Sequence, residues 1–297
     1  MQLRSLRYFV TLASEGHFAR AAERCGVTQP TLSAALTALE QELGKRLVER
    51  DRRYVGLTPE GRAMLPWAQQ MLAAHEGMVQ SVEALGGPVH GEFRLGTIPA
   101  AMPAIGRLAE VLLANHPGLS LSIRSFTSRE IVRGLNAFEL DAGLTYLDHE
   151  PPADMLSVGL YEERYIFVAR AGESFRDRKS VSWEEAAAAP LCLLHQGMQN
   201  RRILDSCLAA RGLAITPRAT SDSYVALLAL VRSGGFATIM PDSYAAMLEG
   251  LQWACVMPLE GGHSTSRIGL IVADRIPMNP LAAAALAAAR IVAKIGI

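Results

Sequence analysis

The chain has 297 residues, enough for two or three domains with sizeable cores, and its 29 Lys and Arg balance its 29 Asp and Glu. The first 62 residues hold 10 Lys and Arg against 7 Asp and Glu, whereas the remainder holds 19 against 22. This distribution excludes a generally basic protein and favours a basic module at the start of a slightly acidic body.

Export and membrane insertion are both disfavoured by the sequence. Charges at Arg4, Arg7 and Glu15 interrupt the N-terminus, which argues against a signal peptide. The longest apolar stretch, Leu281 to Ala289, is shorter than the roughly 20 residues that span a bilayer. We therefore expect a cytoplasmic protein with no membrane partner.

The cysteines give no sign of a metal site. None of them forms a C-x-x-C pair or has zinc-ligand spacing with a histidine. The four are Cys25, Cys192, Cys207 and Cys255. We expect reduced thiols, with no metal and no cofactor.

The segment His17 to Ser33 has the pattern of a helix-turn-helix. Small residues at Ala21 and Ala22 let a second helix approach closely, and Gly26 suits the tight turn. Thr28 is placed to cap the second helix, whose first residues are polar and can meet base edges in a DNA groove. The predicted DNA contacts from this helix are Thr28, Gln29, Pro30, Thr31, Ser33 and Thr37. An ordinary helical hairpin with a polar face is the alternative.

A basic stretch after this helix predicts a wing. Two short β-like pieces, Leu47-Val48 and Tyr54-Val55, flank a charged tip. Its arginines, Arg50, Arg52 and Arg53, can reach phosphates or a minor groove.

A long helix is predicted from Thr58 to about Leu85. It begins with a cap, a proline and an acid, and it ends at Gly86-Gly87-Pro88. An apolar residue recurs every three or four positions, which suits either a coiled-coil seam or packing within one domain. These positions are Met64, Ala68, Met71, His75, Met78, Val82 and Leu85. A paired helix of this kind would hold two DNA-binding heads.

From residue 91 strands and helices alternate, which predicts an α/β body in two parts. Strands are expected at 93–96, 119–123, 140–144, 164–169, 191–194, 236–240 and 268–273. Helices are expected at about 99–115 and 128–138, and Ser182 opens a capping box.

Several loops of this body are candidate ligand sites, because a helix start after a strand offers amides to an anion. The first candidate is the loop after the strand at 93–96. The second is the loop after the strand at 191–194, which includes basic residues. Each also suits an ordinary turn or a solvated helix start. The residues are Thr97, Ile98, Pro99, Ala100 and Ala101; Thr127 and Ser128; Gln196, Met198, Gln199, Asn200, Arg201 and Arg202; and Asp222 and Ser223. Arg201 or Arg202 is expected to neutralise a carboxylate.

The whole chain resembles the LysR-type transcriptional regulators. The first part shares their Ala21-Ala22, Thr28-Gln29-Pro30-x-Leu32-Ser33 and Leu57-Thr58-x-x-Gly61 motifs. The body shares Gly91-x-Phe93-x-Leu95-Gly96, Leu140-Asp141-Ala142-Gly143 and Val231-x-x-Gly234-Gly235. The family pattern usually has Arg after Ser33, and this chain has Ala34 instead.

The resemblance implies a multidomain fold: a winged helix-turn-helix with a long linker helix, then a two-lobed α/β domain like periplasmic binding proteins. The expected domains are 1–58 for DNA binding, 59–88 for the dimerising linker helix and hinge, and 89–297 for effector binding. Within the last, one lobe comprises about 91–162 and 267–297, and the other comprises about 163–266.

The expected function is that of a ligand-responsive transcriptional regulator. Its expected partners are double-stranded promoter DNA, a small effector such as a carboxylate or similar anion, RNA polymerase and further copies of the chain, as a homodimer or homotetramer. The peroxide-sensing branch of the family has a reactive cysteine where this chain has Gln199, and Cys207 alone does not rebuild that switch. The alternative is a small-molecule binding protein or an enzyme with no transcriptional role. No catalytic residues are expected, because G-x-S-x-G, H-E-x-x-H, P-loop and dinucleotide motifs are missing and Gly261-Gly262-His263-Ser264 resembles a loop.

Overall fold

The computed structural model describes residues 1–51, 53–85, 87–148, 154–172, 178–261 and 265–296, without the side chains of residues 50, 51, 53 and 84. Predicted features at Arg52, Gly86 and 262–264 lie outside the described residues. The chain divides into two compact units, Met1–Gly87 and Pro88–Ile297, and each is described by itself.

The first unit contains the predicted helix-turn-helix. Its helices are α1 (Leu3–Glu15), α2 (Phe18–Arg24) and α3 (Gln29–Leu43). Gly26 has a φ of 65°, which costs a glycine little, and the Thr28 hydroxyl accepts a hydrogen bond from the Thr31 amide. Apolar residues of all three helices form one buried cluster, so the predicted turn geometry is confirmed.

A hairpin and a long helix complete this unit. Strand β1 (Val48–Asp51) pairs antiparallel with β2 (Arg53–Leu57), and α4 spans Pro59–Ala84. Thr58 caps α4 by accepting from the Gly61 amide at 2.9 Å, and its hydroxyl donates to the Arg46 carbonyl at 2.7 Å. The second bond fixes Thr58, which follows the hairpin, to Arg46, which precedes it.

The second unit has two lobes, which we define by their sheets. The first lobe contains β3 (Gly91–Thr97), β4 (Leu119–Ser125), β5 (Ala142–Tyr146), β6 (Met155–Glu163) and β12 (Ser266–Ala273), in the order β4-β3-β5-β12-β6. Strand β3 runs parallel to β4 and β5, whereas β12 runs antiparallel to β5 and β6. The 3₁₀ segment Pro99–Ala104 and helices α5 (Ile105–Asn115), α6 (Ser128–Asn136) and α11 (Pro280–Ile295) belong to this lobe.

The second lobe is built on a three-stranded antiparallel sheet of order β10-β7-β11, formed by β7 (Tyr165–Arg170), β10 (Ala237–Pro241) and β11 (Ala254–Pro258). A parallel pair, β8 (Cys192–Leu194) and β9 (Ala219–Ser221), lies beside it, because Leu191 bridges to Ala237. Its helices are α7 (Trp183–Ala188), α8 (Gln199–Ala209), α9 (Tyr224–Ser233) and α10 (Ala245–Leu248), with a 3₁₀ turn at Asp242–Tyr244.

The structure differs from the sequence-based expectations in several elements. The expected strand at 140–144 is shifted by two residues, because Asp141 instead bonds the Arg94 amide and guanidinium. The expected helix at 99–115 begins as a 3₁₀ segment containing Pro103, whose missing N–H interrupts a regular helix. Strands β6, β9 and β11 were not predicted at all. The alternation of β6 is interrupted by a register shift near Ile268 of β12.

One large apolar cluster runs through both lobes of the second unit. Among the described residues, no helix is long and apolar enough to cross a membrane. In the same part of the chain, no group of three or more His, Cys, Asp or Glu side chains is placed to hold a metal ion.

Gly61→Ala should destabilise the first unit by about 1–3 kcal/mol, because the new Cβ would lie 2.0 Å from the Leu47 carbonyl oxygen. The carbonyl belongs to the backbone and cannot rotate away. Urea denaturation of the full chain measures the change in stability. Amide exchange in the hairpin locates that change in the first unit.

Gly56→Ala is the matched control, since nothing lies within 4 Å of a Cβ there. We expect it to change stability by less than about 0.5 kcal/mol. Equal stability of the two variants would contradict the packing argument.

Candidate functional site

The first residues of α3 form an exposed polar surface. Thr28, Gln29, Pro30 and Thr31 are exposed, whereas Ser33 and Thr37 are half-buried. The hydroxyl oxygens of Thr28 and Thr31 lie 2.8 Å apart. Leu32, Leu36 and Leu39 on the opposite face are buried in the core, so the polar face is held outward. Amide and hydroxyl groups at a helix start are able to read base edges.

A broad groove of about 510 Å³ lies at the other end of α3. It is lined by Thr37, Glu40, Gln41, Gly44, Lys45, Arg46 and Val48. Its two basic side chains suit a phosphate backbone better than an enclosed small molecule. Arg50 and Arg53 fall in the adjoining hairpin, where their side chains are not described, and Arg52 lies outside the described residues.

The apolar stripe on α4 divides into two parts. Met64 and Ala68 pack into the core of the first unit. Further along, Met71, Met78 and Leu85 are exposed and recur every seven residues, with Trp67 and Val82 beside them. Packing within the unit therefore accounts for the first part of the helix, and the coiled-coil seam stays a prediction for the second part. The exposed positions have the spacing of a coiled-coil seam.

A small cavity lies between the two lobes of the second unit. Its volume is about 10 Å³, close to that of one water molecule. It is lined by Ile98, Pro99, Ala100, Thr127, Ser128, Tyr146, Leu194, Met198, Gln199 and Asn200. The lining comes from the 3₁₀ segment, from the starts of α6 and α8, and from the ends of two strands.

The two helix starts at this cavity differ electrostatically. The first turn of α6 has its own capping box, in which Thr127 and Glu130 exchange hydrogen bonds. These bonds hold the pKa of Glu130 below its usual value. Helix α8 has no side-chain cap at Met198. The partial positive charge at the start of α8 is therefore the one left for a ligand.

Eight of the residues predicted to bind an effector are lining residues: Ile98, Pro99, Ala100, Thr127, Ser128, Met198, Gln199 and Asn200. The others lie elsewhere. Thr97 is fully buried and its hydroxyl donates to the Ile98 carbonyl, Ala101 is buried, and Gln196 is exposed. Asp222 and Ser223 stand before α9, outside the lining.

The two arginines expected to neutralise a carboxylate already have partners within the second lobe. The Arg201 guanidinium is buried, with Nε 2.8 Å from Asp205 and Nη1 3.0 Å from the Leu194 carbonyl. Arg202 donates to the Gly197 carbonyl at 3.0 Å. Neither residue is among the described lining residues, because each guanidinium folds back on its own loop or helix.

Behind the cavity lies a buried cluster of polar side chains. The Tyr146 hydroxyl donates to Glu163 Oε1 at 2.6 Å, and Asn200 Nδ2 donates to the Tyr146 hydroxyl at 2.7 Å and to Glu163 Oε1 at 3.1 Å. Tyr224 donates to Asn200 Oδ1 at 2.9 Å, and Tyr165 donates to the Asn200 carbonyl at 3.1 Å. Tyr146 and Asn200 thus link this cluster to the cavity wall.

Burial dominates the electrostatics of the cluster. It raises the pKa of Glu163 to about 8, and the Asp242 carboxylate raises it further, whereas the bonds from Tyr146 and Asn200 lower it. Burial and the neighbouring Glu163 also hold the pKa of Tyr146, Tyr165 and Tyr224 well above the usual value. These tyrosines are neutral at physiological pH.

Four members of this cluster were not predicted from the sequence: Tyr146, Glu163, Tyr165 and Tyr224. The available signal was weak. Glu163 is the second of two adjacent glutamates before the predicted strand at 164–169, and nothing in this pattern marks one of them as buried. The hydrogen-bond partners of Glu163 come from two other elements, β5 and α8, and no local pattern brings them together.

Two family models match the chain. Residues 3–62 match the bacterial regulatory helix-turn-helix protein of the lysR family, and residues 86–293 match the LysR substrate binding domain. The chain belongs to the LysR family of transcriptional regulators. The winged helix-turn-helix and the two-lobed body of this LysR-type regulator are therefore those of its family.

Individual relatives agree with this assignment. A probable hydrogen peroxide-inducible genes activator of Mycobacterium avium is 32% identical over 269 residues, covering 89% of this chain and 81% of the relative. A full-length, singly substituted OxyR of Pseudomonas aeruginosa has a TM-score of 0.73 at 27% identity, with 98% of each chain covered. CbnR complexed with its target DNA shares the fold, with a TM-score of 0.72 at 24% identity and coverage of 98% and 100%. The relatives are transcriptional regulators and not enzymes.

Proposed function

We propose that this LysR-type regulator responds to a small monoanion, bound without covalent chemistry in the cavity between the two lobes. The observation that carries this proposal is the cavity itself, which two helix starts and a 3₁₀ segment line together. Closing two lobes on a ligand is a standard way to couple binding to a change of conformation. We also propose domain limits of 1–58, 59–88 and 89–297, and RNA polymerase as a partner.

The chemistry of the lining favours an anion of the size of formate or acetate. The uncapped start of α8 supplies partial positive charge, and Ser128 Oγ is buried with no hydrogen-bond partner among the described residues. No Lys or Arg is among the described lining residues, so one negative charge is the most that the site balances. The cavity of about 10 Å³ holds about one water molecule, so formate or acetate enters only when the lobes open wider than in this structure.

Peroxide is the second candidate signal, because several relatives are named hydrogen peroxide-inducible activators. The thiols of this chain argue against a cysteine-based response. Position 199 is Gln, Cys207 is buried within α8, and burial raises the pKa of Cys192 to about 11. A thiol held neutral reacts slowly with an oxidant.

For DNA, we propose that the start of α3 reads bases while the hairpin arginines bind phosphates. For assembly, we propose that the exposed face of α4, from Trp67 to Leu85, pairs with a second copy of the chain. A dimer would then present two helix-turn-helix heads to two half-sites.

Arg53→Ala should weaken binding to all DNA sequences and reduce the salt dependence by about one unit of slope, because one phosphate contact is lost. Gln29→Ala should instead relax preference at one base pair by about 1–3 kcal/mol. Fluorescence anisotropy at several salt concentrations measures both. Arg232→Ala, an exposed arginine on α9, is the control. An unchanged slope for Arg53→Ala would remove the hairpin from the interface.

Val82→Lys should shift the full-length protein toward smaller species at micromolar concentration, because it places a charge in the exposed apolar seam of α4. Glu83→Lys introduces the same side chain one position away and should leave assembly unchanged. Sedimentation velocity separates the two. If both variants sediment as the wild type does, the seam is not the dimer contact.

Ser128→Ala should weaken binding of acetate to the full-length protein by about 2- to 12-fold, the effect of one hydrogen bond. Calorimetric titration measures the affinity, and Ser125→Ala, exposed at the end of β4, is the control.

Hydrogen peroxide is tested separately, with DNA binding as the readout. Wild type and Cys207→Ala should both be unaffected by peroxide. The anion proposal fails if neither formate nor acetate binds at millimolar concentration. It is replaced by a thiol mechanism if peroxide alters DNA binding and Cys207→Ala abolishes that effect.

A further inference from the structure

Glu163 lies where the chain passes between the two lobes. Strand β6 of the first lobe ends at Glu163, and β7 of the second lobe begins at Tyr165, so Arg164 alone joins them. Glu163 also pairs with Ser266, the first residue of β12, which follows the return passage. Glu163 therefore lies beside both passages of the chain between the two lobes, which together we call the hinge.

The carboxyl group of Glu163 holds one residue from each lobe. Its Oε1 accepts from Tyr146 at the end of β5 and from Asn200 in the first turn of α8. Both donors line the cavity, whereas Glu163 stands behind them, 2 % exposed. A relative movement of the lobes would therefore pull Tyr146 and Asn200 apart and break bonds to the carboxyl.

The second carboxyl oxygen indicates the charge state of this group. Oε2 is buried and has no hydrogen-bond partner among the described residues. A buried oxygen without a partner costs much more free energy on an ionised carboxylate than on the neutral hydroxyl of a protonated acid, so this geometry favours the protonated form. The raised pKa of about 8 agrees with a neutral acid at physiological pH.

The titratable groups that face Glu163 give no compensating positive charge. They come from β5, β6, β7, α9 and the turn after β10, and they are Tyr146, Tyr161, Tyr165, Tyr224, Tyr244 and Asp242. The tyrosines remain neutral because burial raises their pKa. Ionisation of Glu163 would thus place a second negative charge near Asp242 in a buried site.

We propose that Glu163 is a positioning residue of the effector cavity, which holds the two lobes in the closed arrangement by bonding Tyr146 and Asn200 with one carboxyl oxygen. The part that concerns effector affinity rests on the proposed function, whereas the part that concerns lobe closure does not.

We expect lobe closure to depend on pH. A hinge that opens to water returns the pKa of Glu163 toward its ordinary value, so closure binds a proton between that value and about 8. Closure, and any ligand affinity that depends on it, therefore weakens as pH rises toward 8 and changes little above it. Glutamine keeps the shape and the acceptor but cannot ionise, so it removes this dependence.

The first experiment uses ligand-free, full-length protein. Amide exchange is measured in Pro99–Ala104 and at the start of α8 at pH 6.5 and 9, corrected for the intrinsic effect of pH. Wild type should lose protection by about 30-fold at pH 9, the effect of one proton over the roughly 1.5 pH units between 6.5 and the pKa of about 8. Glu163→Gln should be protected equally at both values, and Glu163→Leu should be poorly protected at both.

Two variants serve as controls. Glu162→Gln changes the exposed neighbour on β6 and should behave as wild type. Tyr244→Phe removes a different contact between the lobes, the 2.7 Å bond to the Pro99 carbonyl, and should lower protection while keeping the pH dependence. This comparison separates Glu163 from lobe contacts in general.

The second experiment titrates the same proteins with acetate. Glu163→Gln should bind within about twofold of wild type at pH 6.5 and lose the pH dependence, and Glu163→Leu should bind at least about tenfold more weakly. If acetate does not bind the wild type, the anion proposal fails and amide exchange alone decides the role of Glu163. The inference is overturned if Glu163→Gln keeps the wild-type pH dependence of exchange, a test that holds even if Glu163→Leu does not fold.

Discussion

The second unit depends on a buried hydrogen-bonded cluster at the hinge between its lobes. Polar side chains removed from water must bond one another, and Glu163 Oε1 and the two carbonyl oxygens of Asn200 are matched by donors from Tyr146, Tyr165 and Tyr224. Apolar contacts would tolerate some sliding between the lobes, but these bonds have fixed lengths and directions. The arrangement of the cavity wall therefore follows from the cluster.

A comparable constraint fixes the first unit at the start of α4. Thr58 bonds both the Gly61 amide and the Arg46 carbonyl, and only a glycine fits beside the Leu47 carbonyl. The hairpin is thereby fixed to the helix that follows it. The residues proposed to read bases and those proposed to contact phosphates lie on elements joined to one small core, which suits recognition by a rigid surface.

The features that were predictable from sequence are local. Thr28, Gly26 and the Ser182 capping box determine the backbone within a few residues, and the structure shows each in its expected role. The starts of α6 and α8 were identifiable as cavity lining for the same reason. Strand β6 and the buried cluster were not, because Tyr146, Glu163 and Asn200 meet only through the sheet topology. The partners of the arginines were not predicted either: Arg201 forms an i, i+4 pair with Asp205, and its role toward an effector stays a prediction.

The neutral state of Glu163 also bears on which ligand the cavity accepts. An ionised carboxylate behind Tyr146 and Asn200 would repel an anion across a short, poorly screened distance. A protonated carboxyl removes that repulsion and leaves the uncapped start of α8 as the nearest source of charge. Under the proposed function, ligand charge and hinge protonation are linked: protonation of Glu163 favours both lobe closure and the binding of a small anion, and ionisation of the carboxyl weakens both.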